Sequence, residues 1–360
     1  MTQRRNRPCP DCDRAPDLTP SGVGRRDFLK VAGIAAATAA GGIPLFATPK
    51  AAAAPTRNSP AETAVKALYE TLTPEQKTAV CFPWDHQDTK NKRGLLRTHV
   101  SNNWHIVPQT INSDFFTKRQ QHLIHDVYTG LLNPEWVARF DKQTRDDNNG
   151  KPWGTYQNIA IFGEPTGENF EMVLTGRHQT LRADGHSVNH VAFGGPIFYG
   201  HAVQGTEKVD HPGNVFWPQA LAANKVYQML DTRQKQAALA DERPHEDDVG
   251  FGKSGPRSTG LAVKEMSADQ KTELQKVLMM LVEPFRVEDR EEALECLKRR
   301  GGLDSCRLTF YKDGDIGNDG VWDNWRLEGP AFVWYFRGEP HVHVWVNVAD
   351  DPMLPINAKG

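Results

Sequence analysis

The segment PHVHVWVN near the C-terminus contains two histidines, His341 and His343, separated by one residue. Its alternation of valines with polar or aromatic residues is typical of a β-strand, in which residues two apart point to the same face. Two imidazoles with backbones roughly 7 Å apart can converge on one metal ion. Val342 and Val344 would form the opposite, apolar face, and Trp345 would share the histidine face. This pattern alone is equally compatible with two polar residues on an exposed sheet.

A third histidine, His178, lies in the segment NFEMVLTGRHQTLRAD. If the segment is a strand, alternation places His178 on one face with Met172 and Leu174. An imidazole beside apolar side chains is expected to be buried, and a buried polar group needs a partner. A backbone carbonyl would satisfy it. So would a metal ion shared with the C-terminal pair, which requires both segments to belong to one sheet.

Three neutral imidazoles without a thiolate suit copper or zinc better than calcium or magnesium. We therefore predict a metal-binding protein whose ligands are His178, His341 and His343. An open position on the ion for water, oxygen or substrate would make the protein a metal-dependent enzyme. The residues predicted to line a pocket around the ion are Trp104, Arg177, His201, Trp325 and Trp345.

The alternative is a non-catalytic extracytoplasmic protein that binds a small molecule or a peptide in a pocket lined by histidines and aromatic side chains. The 9 tryptophans of the chain would then serve as a stacking surface. Such a protein would contain no stoichiometric metal, and its ligand rather than an ion would raise its thermal stability. In a third interpretation the histidines only complete a polar network in the core.

Sequence motifs of several other chemistries are missing. The chain has no Gly-x-Ser-x-Gly elbow, no phosphate-binding loop and no dinucleotide fingerprint. Asp313, Asp315 and Asp319 alternate with glycine as in a calcium loop, but the closing glutamate is missing and an ordinary hairpin is favoured. With 43 Lys and Arg against 45 Asp and Glu, the composition does not favour binding to nucleic acid or to an anionic membrane.

Residues 1–53 have the layout of a twin-arginine export signal. Arg25 and Arg26 precede Phe28 and Leu29, and a mildly apolar run leads to an alanine-rich end. The apolar run is short and interrupted by a proline, so a membrane anchor is not favoured. We expect recognition by the twin-arginine export machinery, cleavage at the end of this segment, and a mature protein without a membrane span in the periplasm or outside the cell. This route carries folded proteins, often with a cofactor already inserted.

The chain has 5 cysteines, of which Cys9 and Cys12 lie in the predicted signal. In an oxidising compartment, Cys296 and Cys306 could form a disulfide, which would leave Cys81 as a buried thiol. The odd number of cysteines in the mature chain leaves this pairing open.

Helical signals dominate the first third of the mature chain. Thr73 and Gln76 form the pattern of a capping box, and Ser267 and Gln270 repeat it later. A further helix is predicted over residues 112–132, opened by an Asn or Ser cap. These helices are expected to alternate with β-rich runs.

The β-rich runs cover residues 156–200 and 306–350. We therefore predict an α+β fold, in which a helical N-terminal part packs on an antiparallel β-sheet built from central and C-terminal strands. Two domains split near residue 240 are the alternative. The predicted organisation is a cleaved signal peptide at 1–53, a linker at 54–60, a single domain at 61–350 and a C-terminal tail at 351–360.

The order of several short blocks resembles the family called domain of unknown function 3500. The blocks are FPWDHQ, NNWHIVP, YQNIAIFGEP, the Gly176-x-His178 segment, AFGGPIFYGHAV and EGPAFVWYFRGEPHVHVWVN. The resemblance covers nearly all of the mature chain, from about residue 61 to residue 350. It implies an exported protein, and the family name assigns no activity.

The resemblance also bears on the histidines. The family pattern carries a Gly-His-His segment and a C-terminal His-x-His pair, and His178, His341 and His343 match it. Arg177 stands where the family often has another histidine. His201 belongs to a block in which the family has no fixed histidine. A site of three histidines rather than four is therefore what the resemblance implies.

Overall fold

The computed structural model describes residues 54–201, 215–246, 248–251, 259–316, 318–353 and 357–358. The predicted export signal, with Arg25, Arg26, Phe28 and Leu29, lies outside the described residues, as do Cys9 and Cys12. The fold is α+β, as predicted. Among the described helices, each is too short or too polar to cross a membrane.

The helices fall into an N-terminal group, before the first long strand, and a second group between the central and the C-terminal long strands. The N-terminal group is α1 (Pro60–Thr71), α2 (Pro74–Val80), α3 (Lys118–Gly130) and α4 (Pro134–Asp147). The second group is α5 (Trp217–Met229), α6 (Thr232–Ala238), α7 (Ala268–Val282) and α8 (Val287–Arg299).

The strands are named in chain order. Those before the second helical group are β1 (Cys81–Phe82), β2 (Gln87–Asp88), β3 (Gly94–Leu95), β4 (His99–Val100), β5 (Gln157–Gly163), β6 (Phe170–Gly176), β7 (Gln179–Ala183) and β8 (Ile197–His201). Those after α5 are β9 (Leu239–Ala240), β10 (Leu261–Ala262), β11 (Arg307–Tyr311), β12 (Asn324–Gly329), β13 (Phe332–Arg337), β14 (Val342–Val348) and β15 (Asn357–Ala358).

One large sheet joins the central and C-terminal strands, as the sequence predicted. Its order is β1-β5-β6-β7-β8-β14-β13-β12-β11-β10, with β9 also beside β11. The long strands pair antiparallel, and the short β1 and β9 add parallel pairs at β5 and β11. The pairing of β8 with β14 connects the two strand groups and places the C-terminal histidines in the middle of the sheet.

Side chains alternate along β14 between two faces of the sheet. Val344 and Val346 belong to a large apolar cluster that also contains residues of the helices, such as Val65 of α1. Trp345 belongs to a smaller cluster on the other face, with Phe198 and Tyr335. The histidine face of β14 is therefore buried as well, because Val191, Val249 and Phe251, which lie outside the helices and strands, pack in this cluster.

The two predicted capping boxes are confirmed by the hydrogen bonds of their side chains. Thr73 and Gln76 cap α2, and Ser267 and Gln270 cap α7, each with reciprocal hydrogen bonds. The helix predicted over residues 112–132 begins later, at Lys118. The reason is that Thr117 forms a capping box with Gln120, while residues 112–117 form turns.

Cys296 and Cys306 are free thiols in this structure and do not form the disulfide considered from the sequence. The Cys296 sulfur lies 3.9 Å from the carbonyl oxygen of His190. The Cys306 sulfur lies 3.8 Å from that of Gly302. Burial is the main reason that the pKa of each thiol is raised, to about 12, so neither is a reactive thiolate.

Candidate metal centre

The C-terminal pair lies at the start of β14, where the strand passes β8. His343 is opposite Gly200 of β8. A Cβ atom on Gly200 would lie only 2.1 Å from the Val342 carbonyl oxygen, so the glycine permits this close approach of the two strands. His341 directly precedes β14, and both imidazoles are buried, with 2% and 0% of their residue surfaces exposed.

His178 does not lie within a strand, contrary to the expectation from alternation. It occupies the two-residue turn between β6 and β7, where Gly176 pairs with Gln179. Its φ of 50° is in the left-handed region, and its backbone N–H donates to Asn103 Oδ1 at 2.7 Å. The alternating pattern runs through this turn without a Pro or Asp-Gly signal, which is why the sequence suggested one continuous strand.

The turn nevertheless brings His178 to the C-terminal pair. His178 Nε2 lies 3.1 Å from His343 Nε2, and His341 Nε2 lies 3.0 Å from His343 Nε2. The potential ligand atoms of the three residues all lie within 4.8 Å of one another. Within the part of the chain that the structure describes, these three histidines are the one group of His, Cys, Asp or Glu side chains close enough together to hold a metal ion.

Two carboxylates contact the outer nitrogens of this cluster. Asp147, the last residue of α4, contacts His178 Nδ1. Glu246, from the segment that follows β9, lies with Oε2 at 2.9 Å from His343 Nδ1. An ionised carboxylate can only accept hydrogen bonds, so each Nδ1 carries the proton and donates it. In the neutral form of each ring, Nε2 then presents a lone pair to the centre of the cluster.

The electrostatics of the cluster favour neutral imidazoles at His341 and His343. The pKa of His341 is lowered, first because burial disfavours its charged form and then because His343 and His178 are close. Burial and Arg337 lower the pKa of His343 well below its ordinary value. Burial alone would raise the pKa of Asp147, but His178 and Arg177 outweigh it, and the carboxyl stays ionised. Neutral imidazole is the form that binds a metal.

Each carboxylate is also paired with a guanidinium group. Arg177 Nε lies 3.1 Å from Asp147 Oδ1, and Arg337 Nη1 forms an ion pair with Glu246 Oε1. Asn102 Nδ2 donates to Glu246 Oε2 at 3.1 Å. The adjacent residues Asn102 and Asn103 therefore contact both sides of the cluster, through Glu246 and through the backbone of His178.

The residues predicted to line a pocket lie in different surroundings in the structure. Trp345 shares the histidine face, and its ring packs at 4.8 Å on Phe198, which is itself 5.1 Å from the His343 ring. Arg177 is beside the cluster through its contact with Asp147. Trp104 donates from Nε1 to Thr180 Oγ1 at 2.9 Å, one position beyond Gln179 on β7.

Two of the predicted pocket residues point to the other face of the sheet. Trp325 stacks on Phe336 at 5.8 Å, and both belong to the large apolar cluster. His201 pairs with Val342 across β8 and β14, and its ring stacks on Phe216 at 5.9 Å. Strand alternation places these two side chains on the face opposite to His343, although His201 contributes, after burial, to the lowered pKa values of His341 and His343.

Sequence reasoning missed Asp147, Glu246 and Asn103. Asp147 is 31 residues from His178, and Glu246 is 97 residues from His343, so no local spacing links them. Asp147 stood out only as the end of a predicted helix, and Glu246 as part of a loop rich in Gly, Pro and Ser. A search for carboxylates at the ends of predicted helices would have included Asp147 among many others.

Comparison with known proteins identifies a family for the chain. No curated protein and no solved structure matches it. The family model described as "Protein of unknown function (DUF3500)" matches residues 55–347, a range close to that of the resemblance seen in the sequence. The chain therefore belongs to the DUF3500 family.

Proposed function

We propose that this protein is an exported metal-binding protein that holds one copper or zinc ion with His178, His341 and His343. The observation that carries the proposal is the convergence of three buried imidazoles, two of which are held by a carboxylate on the nitrogen that faces away from the centre. Carboxylate–histidine–metal arrangements of this kind fix the ring orientation and raise the basicity of the ligand nitrogen.

The spacing of the nitrogens fits one ion bound by the three imidazoles. With both Nδ1 atoms donating to carboxylates, the Nε2 atoms of His178 and His343 face each other with lone pairs at 3.1 Å. Two acceptors at this distance repel unless a proton or a metal ion lies between them. Nitrogens bound at about 2.0–2.1 Å to a tetrahedral zinc ion are about 3.3 Å apart, close to the observed separations.

The donor set supports copper or zinc. Neutral imidazoles without a thiolate suit these two ions, and an ion held by three histidines keeps a coordination position for water, oxygen or substrate. A zinc ion held by the three histidines would activate a bound water for hydrolysis, whereas a copper ion would permit oxidative chemistry. The protein residues contribute the orientation of the rings, through Asp147 and Glu246, and the exclusion of bulk water, through burial.

The alternative of a sugar- or peptide-binding protein has less support. It requires aromatic side chains that a ligand can reach. Trp104, Trp325 and Trp345 have 5%, 0% and 1% of their surfaces exposed, because they are packed within the two apolar clusters. These three rings therefore offer no stacking surface.

Export by the twin-arginine route is part of the proposal. It rests on the Arg25-Arg26 segment of the sequence, and it leaves the mature protein in the periplasm or outside the cell. A route that carries folded proteins suits a buried metal site, because the ion can be inserted in the cytoplasm before the loops close over it. The partner of this step is the twin-arginine export machinery.

Metal analysis tests the proposed site. Protein without residues 1–53, folded in the cytoplasm and purified without chelators, is expected to contain about one copper or zinc ion per chain. The double variant His341→Ala/His343→Ala is expected to lose it, because one imidazole alone does not hold an ion tightly. The matched control is His186→Ala/His190→Ala, in which both side chains are largely exposed. Equal metal content in the wild type and the His341/His343 variant would refute the site.

A further inference from the structure

The three histidines of the cluster are buried on all sides. His178, His341 and His343 are exposed by 3%, 2% and 0%. A metal ion therefore reaches them only when part of the structure that covers them moves. The contacts of the covering segments indicate which part moves at the smallest cost in free energy.

Residues 241–246, which we call the gate segment, follow β9 and lead to a buried anchor at Val249. None of the six residues of the gate segment is buried, although Glu246 Oε2 lies 2.9 Å from His343 Nδ1 in the cluster. Before the gate segment, β9 pairs with β11. After it, Val249 is 0% exposed and packs in the smaller apolar cluster. The gate segment is thus fixed at both ends and has no buried side chain between them.

Polar contacts hold the gate segment on the sheet. The Tyr335 hydroxyl donates to the carbonyl oxygen of Pro244 at 3.1 Å. Arg243 Nη1 forms an ion pair with Glu339 Oε2 at 2.9 Å. Because Glu339 lies two residues before His341, the gate segment is attached close to both C-terminal histidines. Water can replace contacts of this kind at small cost in free energy.

The other parts of the structure that contact the cluster are held by buried apolar side chains. Residues 99–104 include Val100 and Trp104, which are 0% and 5% exposed, and α4 includes Phe140, which is 2% exposed. Moving either part would expose apolar surface to water. Moving β8 or β14 would break the pairing at the centre of the sheet. Local opening is least costly where few apolar contacts are lost, which is at the gate segment.

We infer that residues 241–246 open as a gate over the histidine cluster, and that the metal ion and any ligand of the ion enter and leave through this opening. The inference rests on the proposed metal site and adds how that site is reached. Glu246 contacts His343 only while the gate is closed, so closure supplies a contact that orients a ligand ring. Metal binding and closure of the gate therefore favour each other.

Acylation of the histidines by diethyl pyrocarbonate, measured by peptide mass spectrometry on metal-free protein, tests the gate. In the wild type the reaction at His341 and His343 is expected to be slow, because it requires opening. Tyr335→Phe removes the hydrogen bond to Pro244 and is expected to raise the reaction rate about 2- to 10-fold. In the metal-loaded protein, the same variant is expected to release the ion to a chelator faster by a similar factor.

The matched control is Tyr199→Phe. The Tyr199 hydroxyl also donates a hydrogen bond of 3.1 Å, to Gln219, but its ring lies in the large apolar cluster on the other face of the sheet. Both tyrosines are buried, so the two variants lose similar global stability and only Tyr335→Phe frees the gate. Equal acylation rates in the two variants would overturn the inference and leave the metal content unaffected. Rates that depend on Tyr335 in a protein that binds no metal would support the gate and refute the proposed metal site.

A second variant removes the ion pairs of the gate segment. Arg243→Gln loses the contacts with Glu339 and Asp313 and is also expected to raise the acylation rate of the C-terminal histidines. Its control is Arg233→Gln, which loses an exposed ion pair with Glu265 and is expected to react like the wild type. Equal rates in these two variants would count against the gate.

Discussion

Replacing Asp147 by Asn is expected to lower the affinity for the metal ion by about 10- to 100-fold. The Asp147 carboxylate contacts His178 Nδ1 and holds the proton on that nitrogen, which leaves Nε2 free to bind the ion. An asparagine amide can either donate or accept, so the ring is no longer held in one tautomer. The loss of a negative charge near the cation acts in the same direction.

Competition with a chelator of known affinity measures the effect. The matched control is Asp146→Asn, one residue earlier, because the Asp146 side chain is 33% exposed and its ion pair with Lys142 lies on the surface. Asp146→Asn is expected to bind the ion like the wild type. Similar losses in the two variants would show that the contact of Asp147 with His178 does not position a ligand.

Replacing Glu246 by Gln is expected to lower the metal affinity in the same way, because Glu246 contacts His343 as Asp147 contacts His178. Glu246 Oε2 lies 2.9 Å from His343 Nδ1, and its other oxygen pairs with Arg337. We expect a loss of metal affinity of the same order as for Asp147→Asn. Because the two carboxylates act on different ligands of one ion, their effects are not expected to add fully in the double variant.

Replacing Arg286 by Met is expected to lower the free energy of unfolding by about 3–5 kcal/mol. Arg286 binds both oxygens of Glu62 at 2.8 Å and also Asp289 Oδ2 at 2.9 Å. Glu62 lies in α1 and Asp289 in α8, so the arginine joins two helices that are distant in sequence. Its removal leaves two carboxyl groups buried without their cation, and Glu62 and Asp289 are 0% and 3% exposed.

Denaturant unfolding followed by circular dichroism measures this loss. Arg233→Met is the control, because Arg233 forms an ion pair with Glu265 in which the side chains are 77% and 43% exposed. An exposed pair is worth about 0–1 kcal/mol, so its loss is expected to be small. Equal losses in the two variants would mean that the Arg286 cluster contributes no more than a surface ion pair.

Local sequence patterns determined much of the fold. Thr73 and Ser267 predicted the starts of α2 and α7, because a capping box is a short-range device that depends on residues three apart. The alternation of PHVHVWVN predicted that His341, His343 and Trp345 share a face. The structure confirms it for His343 and Trp345 within β14, and His341, just before the strand, contacts His343 through Nε2 at 3.0 Å. Where two local signals competed, as at residues 112–117, the capping side chain of Thr117 decided the helix start.

Local sequence patterns predicted only part of the candidate site. The sequence supplied the residue types, three histidines without a thiolate, and hence the prediction of copper or zinc. The turn at His178 was missed, because its two residues carry no strong turn signal. The contacts of Asp147 and Glu246 with the imidazoles were also missed, because they join residues 31 and 97 positions apart.

The amino-acid sequence by itself therefore determined the family, the α+β class and the three histidines, since each of these depends on residue order or on short-range periodicity. Only the tertiary structure decided that the three Nε2 atoms converge, that two carboxylates contact the rings, and that Cys296 and Cys306 are free thiols. The histidine site depends on the pairing of β8 with β14 and on contacts from α4 and from the segment after β9. Such long-range contacts are set by packing of the whole chain, and no local spacing encodes them.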